Sequence, residues 1–283
     1  MRRKPPKPEI RPDPQDLIER LRRHLEMLGL DHVLENLDEH LAWAIREKPP
    51  AAELLDRVLG EQAAVRLERR IERRIALSGL RERKNLEGFD FNFQPGIDRA
   101  QILELSRLDF VNRQEDLVIT GKTGTGKSHI LQALGLKACE KQVSVRYGRC
   151  TDIVDDLYAG IADNSYPARL RRWVAPPLLI IDDVGLGQIK KRDDEPTAAH
   201  MLFNLLDQRH THASTAITSN IKLSAWGKYL GDATVAAAIL DRLAARALRI
   251  DIDGPSYRQH LAKERAKKNG TRPPGDDNDD GSS

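Results

Sequence analysis

The chain has 283 residues, of which 40% are hydrophobic and 31% are charged, and its formal net charge is +3. This length is enough for one ordinary α/β domain and a smaller one, while Cys139 and Cys150 are too few for a disulfide framework or a metal cluster. There is no run of about 18 apolar residues and no signal-peptide pattern, so we expect a cytoplasmic protein that makes no membrane contact.

The N-terminal third is predicted to be helical after a short tail. Residues 1–14 are rich in proline and basic residues, and we expect them to be disordered. From residue 15 to residue 84 the apolar residues recur at helical spacing, as in the stripe formed by Leu17, Leu21, Leu25 and Leu28. We predict a small all-helical N-terminal domain over residues 15–84, either a plain bundle or a unit for assembly, DNA or partner contacts.

The segment 65–84 carries an excess of positive charge. It contains eight basic and three acidic residues, a balance of +5. Glutamates three and four positions from arginines are typical of a solvated helix face. A basic stripe is equally typical of a face that contacts nucleic-acid phosphates. Both interpretations stay open, and the candidates for phosphate contact are Arg69, Arg70, Arg73 and Arg74.

A second domain is predicted over residues 85–262. It opens with a cluster of three aromatic residues, Phe89, Phe91 and Phe93. Short apolar runs typical of strands then alternate with helical runs, and they lie at residues 117–120, 143–147, 178–182, 215–219 and 248–252. This alternation predicts a parallel sheet covered by helices on both faces. Residues 263–283 form a polar tail that we expect to be disordered.

The segment GKTGTGKS (121–128) predicts a phosphate-binding loop. It fits the pattern GxxxxGK[ST], between a predicted strand and a predicted helix. Glycines allow the backbone to turn tightly around an anion, and the N-terminus of the helix favours negative charge. Lys127 is expected to reach the β- and γ-phosphates of a nucleotide, and Ser128 to hold Mg²⁺. The other predicted ATP-binding residues of this segment are Gly121, Lys122, Thr123, Gly124, Thr125, Gly126 and His129.

Polar side chains follow two further predicted strands. Asp182 and Asp183 come directly after the apolar run LLII, and Asn220 follows the run TAITS. Asp182 is placed to support Mg²⁺ together with Ser128, while Asp183 can orient and polarise an attacking water. Asn220 is expected beside these carboxylates, where it can hold the water and sense the γ-phosphate. The paired carboxylates favour hydrolysis over transfer to a small molecule.

Two arginines late in the chain are candidates for contact with a nucleotide. Arg242 lies in a helical LDRL segment, and Arg258 follows a short strand and a turn. A guanidinium group has a permanent charge and a planar fork that fits phosphate oxygens. An arginine far along the chain from its own phosphate loop often acts on the site of a neighbouring subunit.

Together, the segments FDFNFQPGI, GKTGTGKSHI, LLIIDDVGLG, TSN, LDRL and GPSYR resemble the IstB family, the ATP-binding helper proteins of insertion-sequence transposition. That family belongs to the initiator and helicase-loader branch of the AAA+ ATPases, beside DnaC and DnaA. The resemblance covers residues 85–260, and the order of its motifs makes it far more specific than the phosphate loop alone. It implies an α/β AAA+ P-loop NTPase fold, preceded by a small helical domain.

The resemblance also implies a role for each motif residue. Asn220 resembles the first sensor residue, Arg242 the arginine finger and Arg258 the second sensor residue. Asp182 would serve the metal and Asp183 the water. Many AAA+ relatives have Asp-Glu at this point, and the shorter reach of Asp183 would slow hydrolysis or change the water geometry without affecting ATP binding.

The function that the resemblance implies is ATP-dependent assembly on DNA. Such proteins form homo-oligomers on double-stranded DNA and direct a cognate transposase to its target, which predicts a Mg²⁺-dependent, DNA-stimulated ATP hydrolase of the bacterial cytoplasm. The resemblance favours DNA contact by segment 65–84, through the DNA backbone and with little sequence preference. Further candidates for DNA contact are Arg169, Arg171, Arg172, Lys190, Lys191 and Arg192.

Two alternatives stay open. A helicase loader similar to DnaC would share the ATPase core but dock its N-terminal region on a replicative helicase. An ATP-gated DNA scaffold would bind nucleotide without hydrolysing it, and the aspartate at position 183 raises this alternative.

Overall fold

The computed structural model describes residues 14–189 and 196–268. The chain divides into two compact units, Met1–Glu72 and Arg73–Ser283. This division falls inside a long helix, earlier in the chain than the domain boundary placed between residues 84 and 85 from the sequence. In the two described ranges, no helix combines the length and the apolar character of a bilayer span.

The first unit is helical. Its core is small: Leu25, Val33 and Leu37 are buried, and partly buried apolar residues such as Leu30 and Val58 pack against them. The unit consists of α1 (Pro14–Met27), α2 (Asp31–Glu35), α3 (Leu37–Glu47) and the larger part of α4 (Ala51–Ser78).

The apolar stripe that predicted α1 is mostly exposed. Leu25 is buried, whereas Leu17 is 49% exposed, and Leu21 and Leu28 are exposed as well. The stripe therefore predicts the helix correctly but not its burial. A unit of this size has few neighbouring elements that could cover a whole helix face.

The second unit contains a five-stranded sheet with the strand order β2-β3-β4-β1-β5, in which every neighbouring pair is parallel. The strands are β1 (Asp116–Gly121), β2 (Val145–Arg149), β3 (Leu178–Val184), β4 (Ser214–Ser219) and β5 (Ala247–Ile252). This arrangement confirms the predicted parallel sheet. It also places β1, the strand before the glycine-rich loop, between β4 and β5.

Helices enclose both faces of the sheet. On one face Val118, Leu179 and Ile217 pack with buried residues of the surrounding helices. On the other face a helix approaches β3 so closely that a Cβ at Gly135 would lie 2.8 Å from Ile180 Cδ1. The helices of this unit are α5 (Arg99–Leu105), α6 (Asp109–Asn112), α7 (Lys127–Glu140), α8 (Cys150–Ala162), α9 (Tyr166–Val174), α10 (Ala198–Arg209), a 3₁₀ turn (Leu223–Ala225), α11 (Trp226–Leu230), α12 (Ala233–Arg246) and α13 (Tyr257–Lys268).

Two element boundaries differ from those expected from the sequence. Strand β2 begins at Val145, not at residue 143, because the N–H of Val143 donates to the carbonyl of Ala138 (2.8 Å) and still closes the end of α7. Residues 263–268, which the sequence placed in the polar tail, continue α13. Apart from Pro14, the first residue of α1, the remainder of both predicted tails lies outside the described residues, and so do Lys190, Lys191 and Arg192.

The strand order brings the polar motif residues to one edge of the sheet. Strand β1 ends at Gly121, β3 carries Asp182 and Asp183 near its end, and Asn220 follows β4. Because β4 lies between β3 and β1, the carboxyl ends of these three strands are adjacent. Ligands of open parallel sheets bind at this edge.

Candidate functional site

The loop between β1 and α7 forms a cradle that turns at two glycines and lines a cavity. Gly124 and Gly126 have φ angles of +86° and +97°, a region that glycine adopts without steric cost. Lys127 is only 3% exposed, and its Nζ donates to the carbonyl of Lys122 at 2.7 Å. The hydroxyl of Thr125 donates to the same carbonyl at 2.9 Å. The lysine is therefore held inside the loop, at the start of α7.

Neighbouring segments press against this loop, so its glycines also leave room. A Cβ at Gly126 would lie 2.5 Å from Phe89 Cε2, and one at Gly124 would lie 2.1 Å from Ser256 Oγ. The N–H of Tyr257 donates to the carbonyl of Gly124 at 2.9 Å. A side chain at either glycine would push these segments away. The loop shape therefore depends on glycine at both positions.

Asp182 is buried beside the loop, and both of its carboxylate oxygens accept hydrogen bonds from side-chain hydroxyls. It is 1% exposed. Oδ1 accepts hydrogen bonds from the hydroxyls of Ser128 (2.9 Å) and Thr218, and Oδ2 accepts one from the hydroxyl of Tyr147 (2.7 Å). The predicted pair of Ser128 and Asp182 is thus in direct contact.

Asp183 is turned towards the cavity by an irregularity in β3. The register between β3 and β4 shifts between Ile181 and Val184, and Asp183 has a φ of +62°. Its N–H donates to Thr218 Oγ1 at 2.8 Å, and its Oδ1 accepts a hydrogen bond from Asn220 Nδ2 at 3.1 Å. The predicted contact between Asp183 and Asn220 is therefore present.

A cavity of about 290 Å³ lies beside the loop. One side is the loop with Asp183 and Asn220, and the other side comes from the aromatic segment before α5 and from the start of α13. Arg258 lies on the cavity wall, and its contact with a nucleotide stays a prediction. The lining also includes Glu82, Lys84, Gly88, Phe89, Asp90, Gln94, Gln132, Tyr257 and Leu261.

The electrostatics of the cavity centre on Lys127. Burial lowers the pKa of Lys127 from its usual 10.5 to about 8, although the nearby Asp183 and Asp182 oppose this shift. Arg258 lowers the pKa further. The ammonium group therefore lies where an additional anion would be favoured, because an anion would compensate for the water that the group has lost.

His129 connects the phosphate loop to the segment that contains Asn85 and Phe89. Its Nε2 lies 2.8 Å from the carbonyl oxygen of Asn85, and since a carbonyl only accepts, Nε2 carries the proton. Its ring meets Phe89 edge-on at 5.2 Å, and burial lowers the pKa of His129, which keeps the ring neutral. His129 thus links the cradle to the aromatic segment.

Arg242 lies away from the cavity of its own chain. Its guanidinium donates to Asp207 Oδ1 at 2.7 and 3.0 Å and stacks over Phe203 at 4.3 Å. It does not belong to the residues that line the cavity. Contact of Arg242 with a nucleotide therefore stays a prediction, and it requires a second subunit.

The arginines proposed for DNA contact differ in their surroundings. On α4, Arg70 and Arg73 are exposed, Arg69 is exposed and lies 3.8 Å from Asp31, and Arg74 donates to Ser144.

On α9, Arg171 is exposed, whereas Arg169 donates to Asp156, Asp163 and Ser165 and has most of its donors occupied. Arg172 is exposed but lies 3.3 Å from Asp156. DNA contact at these seven positions also stays a prediction.

The structure adds site residues that the sequence analysis did not select. Tyr147 and Thr218 both donate to Asp182. Tyr147 lies within a strand and in no motif, and Thr218 opens the TSN segment, in which only Asn220 was selected. Phe89 and Lys84 line the cavity. The cluster of three phenylalanines could have pointed to Phe89 as a site residue, because the chain has only five phenylalanines.

The fold and the cavity together define a class of protein. A parallel sheet in the order β2-β3-β4-β1-β5, a glycine-rich loop that leads into α7 and an aspartate bound to the serine of that loop are the features of an AAA+ P-loop nucleotide-binding protein.

The chain belongs to the IstB-like ATP binding protein family, whose family model matches residues 23–266. It is 32% identical over 248 residues to the protein named as ATP-binding in insertion sequence IS232 of Bacillus thuringiensis subsp. berliner, covering 87% of this chain and 97% of that protein. It is 33% identical over 234 residues to the corresponding protein of IS21 from Pseudomonas aeruginosa, covering 83% and 86%. These findings confirm the resemblance drawn from the motifs.

Solved structures agree on the fold. The crystal structure of DnaI superposes with a TM-score of 0.50 at 22% identity, and the match covers 60% of this chain and 92% of that one. At this identity the similarity concerns the fold alone.

Proposed function

We propose that this ATP-binding protein hydrolyses ATP, assembles as an oligomer on double-stranded DNA and recruits or stimulates a cognate transposase. The observation that carries this proposal is the pair of carboxylates at the end of β3. Asp182 is bound to the phosphate loop through Ser128, and Asp183 faces the cavity beside Asn220. A second carboxylate in this place is what the activation of a water requires.

The groups beside the loop fit Mg²⁺. This ion prefers oxygen ligands and is usually bound by one or two protein groups together with substrate phosphates. Ser128 and Asp182 supply a hydroxyl and a buried carboxylate 2.9 Å apart, and they are the residues that would hold it. When bound, the ion would neutralise charge on the phosphates.

The remaining steps, phosphate binding and water activation, are carried out by side chains and amides of the protein. Lys127 and the amides of the loop bind the phosphates, and their positions are fixed before the nucleotide arrives. Asp183 accepts a proton from the attacking water, while Asn220 orients the carboxylate of Asp183 through their hydrogen bond. Arg258, on the cavity wall, contacts the nucleotide from the side of α13.

Arg242 completes the site of a neighbouring subunit. Within its own chain it is bound to Asp207 and lies outside the cavity lining. A guanidinium supplied across an interface stabilises the charge that develops in the transition state of phosphoryl transfer. This arrangement makes hydrolysis depend on assembly.

The relatives support a role in transposition and DNA recombination. Two proteins that match most of this chain are named for insertion sequences. The exposed arginines of α4 provide a charge that DNA phosphates would attract. No base-reading motif was found in the sequence, so DNA binding is expected to depend on the backbone of the duplex.

The proposal is tested by duplex binding with and without nucleotide. Fluorescence anisotropy of a labelled duplex should show tight binding with Mg²⁺–ATP and weak binding without nucleotide. Affinity should fall at least about tenfold between about 50 and about 200 mM salt, since each neutralised phosphate adds to the salt dependence. Equal affinity without nucleotide, or affinity that does not change with salt, would contradict the proposal.

A parallel measurement of phosphate release separates a hydrolase from a scaffold. The proposal predicts steady-state turnover that rises when duplex DNA is added. ATP-dependent DNA binding with no turnover would instead indicate the non-hydrolysing scaffold.

A further inference from the structure

Tyr147 is a buried tyrosine whose hydroxyl contacts the aspartate at the centre of the site. It lies on β2, and its hydroxyl donates to Asp182 Oδ2 at 2.7 Å. Because an ionised carboxylate only accepts, the phenol hydroxyl is the donor in this contact.

The strand pairing places Tyr147 on the same face of the sheet as Asp182. In the parallel pairing of β2 with β3, Tyr147 is opposite Ile180 and Arg149 is opposite Asp182. Residues two apart on a strand share a face. Tyr147 therefore reaches diagonally across the face on which the carboxylate lies.

The two oxygens of Asp182 have different partners. Oδ1 accepts hydrogen bonds from Ser128, from Thr218 and from the N–H of Asp183. In the part of the chain that the structure describes, Oδ2 accepts a hydrogen bond from Tyr147 alone. A buried carboxylate oxygen without a donor is unfavourable, and the carboxylate would rotate or admit water to satisfy it.

We propose that Tyr147 is a positioning residue, which fixes the rotation of the Asp182 carboxylate so that Oδ1 faces Ser128 and the bound metal. This inference rests on the proposed function, because it assumes that Ser128 and Asp182 hold Mg²⁺. Tyr147 contacts neither nucleotide nor metal and acts through Asp182. Groups that orient a metal ligand typically change metal affinity by about 10- to 100-fold when they are removed.

The test compares Tyr147→Phe with the wild-type protein. The substitution removes the hydroxyl and keeps the ring that packs beside β3. Two affinities are measured: that of a fluorescent ATP analogue in EDTA, and that of Mn²⁺ in the presence of AMPPCP, followed by electron paramagnetic resonance. We expect the metal-free nucleotide affinity to change by less than about twofold and the Mn²⁺ affinity to fall by about tenfold.

Tyr158→Phe is the matched control. Tyr158 is also buried, and its hydroxyl donates to the carbonyl of Pro196 at 3.0 Å, whereas that of Tyr147 donates to Asp182. This variant should retain the wild-type Mn²⁺ affinity. An unchanged Mn²⁺ affinity in Tyr147→Phe, an equal loss in both variants or an equal loss of metal-free binding would overturn the proposal.

The same experiment distinguishes this inference from the proposed function. Mn²⁺ affinity is measured with an analogue that is not hydrolysed, so it does not depend on turnover. A wild-type protein that binds Mn²⁺–AMPPCP but releases no phosphate from ATP would contradict the hydrolase, and the comparison of variants would still decide the role of Tyr147.

Discussion

Asp183 combines an unusual backbone conformation with a role at the cavity. A φ of +62° is uncommon for residues other than glycine, although aspartate and asparagine adopt it more readily than most. The hydrogen bonds from its N–H to Thr218 and to Asp182 hold this conformation. Such conformations are concentrated at functional sites, which is consistent with the water-activating role proposed for its carboxylate.

Asp183→Asn should separate ATP binding from hydrolysis. Asparagine has nearly the same size and tolerates the same φ, so the backbone should keep its shape. The loss of a base should lower turnover by at least about 100-fold, while ATP binding stays within about threefold of wild type. Phosphate release and nucleotide titration measure the two effects. Asp155→Asn, at an exposed position on α8, is the control, and normal turnover in Asp183→Asn would assign the base to another residue.

Lys127 should make nucleotide affinity depend on pH above about 8. The protonated lysine binds phosphate, and burial lowers its pKa in the free protein to about 8. Below that pH the group is already charged, so this dependence is absent. As the pH rises above 8, a proton must be taken up on binding and affinity should fall by up to about tenfold per unit.

Calorimetry in buffers of different ionisation enthalpy measures this proton uptake. We expect uptake at pH 8.5 in the wild-type protein and none in Lys127→Arg, because a guanidinium remains charged. Proton uptake that is the same in both proteins would show that a different group titrates.

At the scale of elements, α4 carries the predicted DNA contact. Its arginines are not equivalent: Arg69 lies near Asp31 and Arg74 donates to Ser144, whereas Arg70 and Arg73 are exposed. Charge reversal at Arg70 and Arg73 is therefore the most specific test, because it removes positive charge without breaking the contacts of Arg69 and Arg74.

The double variant Arg70→Glu and Arg73→Glu should weaken duplex binding by at least about tenfold and lower its salt dependence. Circular dichroism should show an unchanged fold. The matched control reverses Arg20 and Arg23, two exposed arginines on α1, and changes the net charge equally. An equal loss in both double variants would mean that net charge alone matters, and no loss would leave segment 65–84 as a solvated face.

How much of each element the sequence predicts depends on how local the signal is. The phosphate loop, the strand before it and the Asp182–Asp183 pair were predicted because their patterns are contiguous. Tyr147 was not predicted as a partner of Asp182, since it reaches the carboxylate across a strand pairing that only the fold creates. The start of β2 was missed for a related reason, as Val143 is apolar but closes α7.

In the first unit, the local sequence pattern also did not predict which residues are buried. The leucine stripe of α1 predicts a helix, yet Leu17 and Leu28 are exposed. Helical spacing reports which residues share a face, whereas burial depends on what packs against that face.

For the whole molecule, the proposed hydrolysis depends on assembly. One chain contains a complete cradle, two carboxylates and Asn220, but its Arg242 is bound to Asp207 and lies outside the cavity lining. If Arg242 acts on a neighbouring subunit, then Arg242→Ala should keep ATP binding and lose at least about 10³-fold in hydrolysis. Nucleotide titration and phosphate release measure these two properties.

We propose that the hydrolytic site is shared between two subunits, and a mixture of two inactive variants tests this sharing. Lys127→Ala has a damaged cradle and an intact Arg242, and Arg242→Ala has the reverse. In an equal mixture about a quarter of head-to-tail interfaces would join an intact cradle to an intact arginine. If the site is shared, DNA-stimulated phosphate release should partly return in the mixture. A mixture that assembles on DNA but stays as inactive as either variant alone would contradict a shared site.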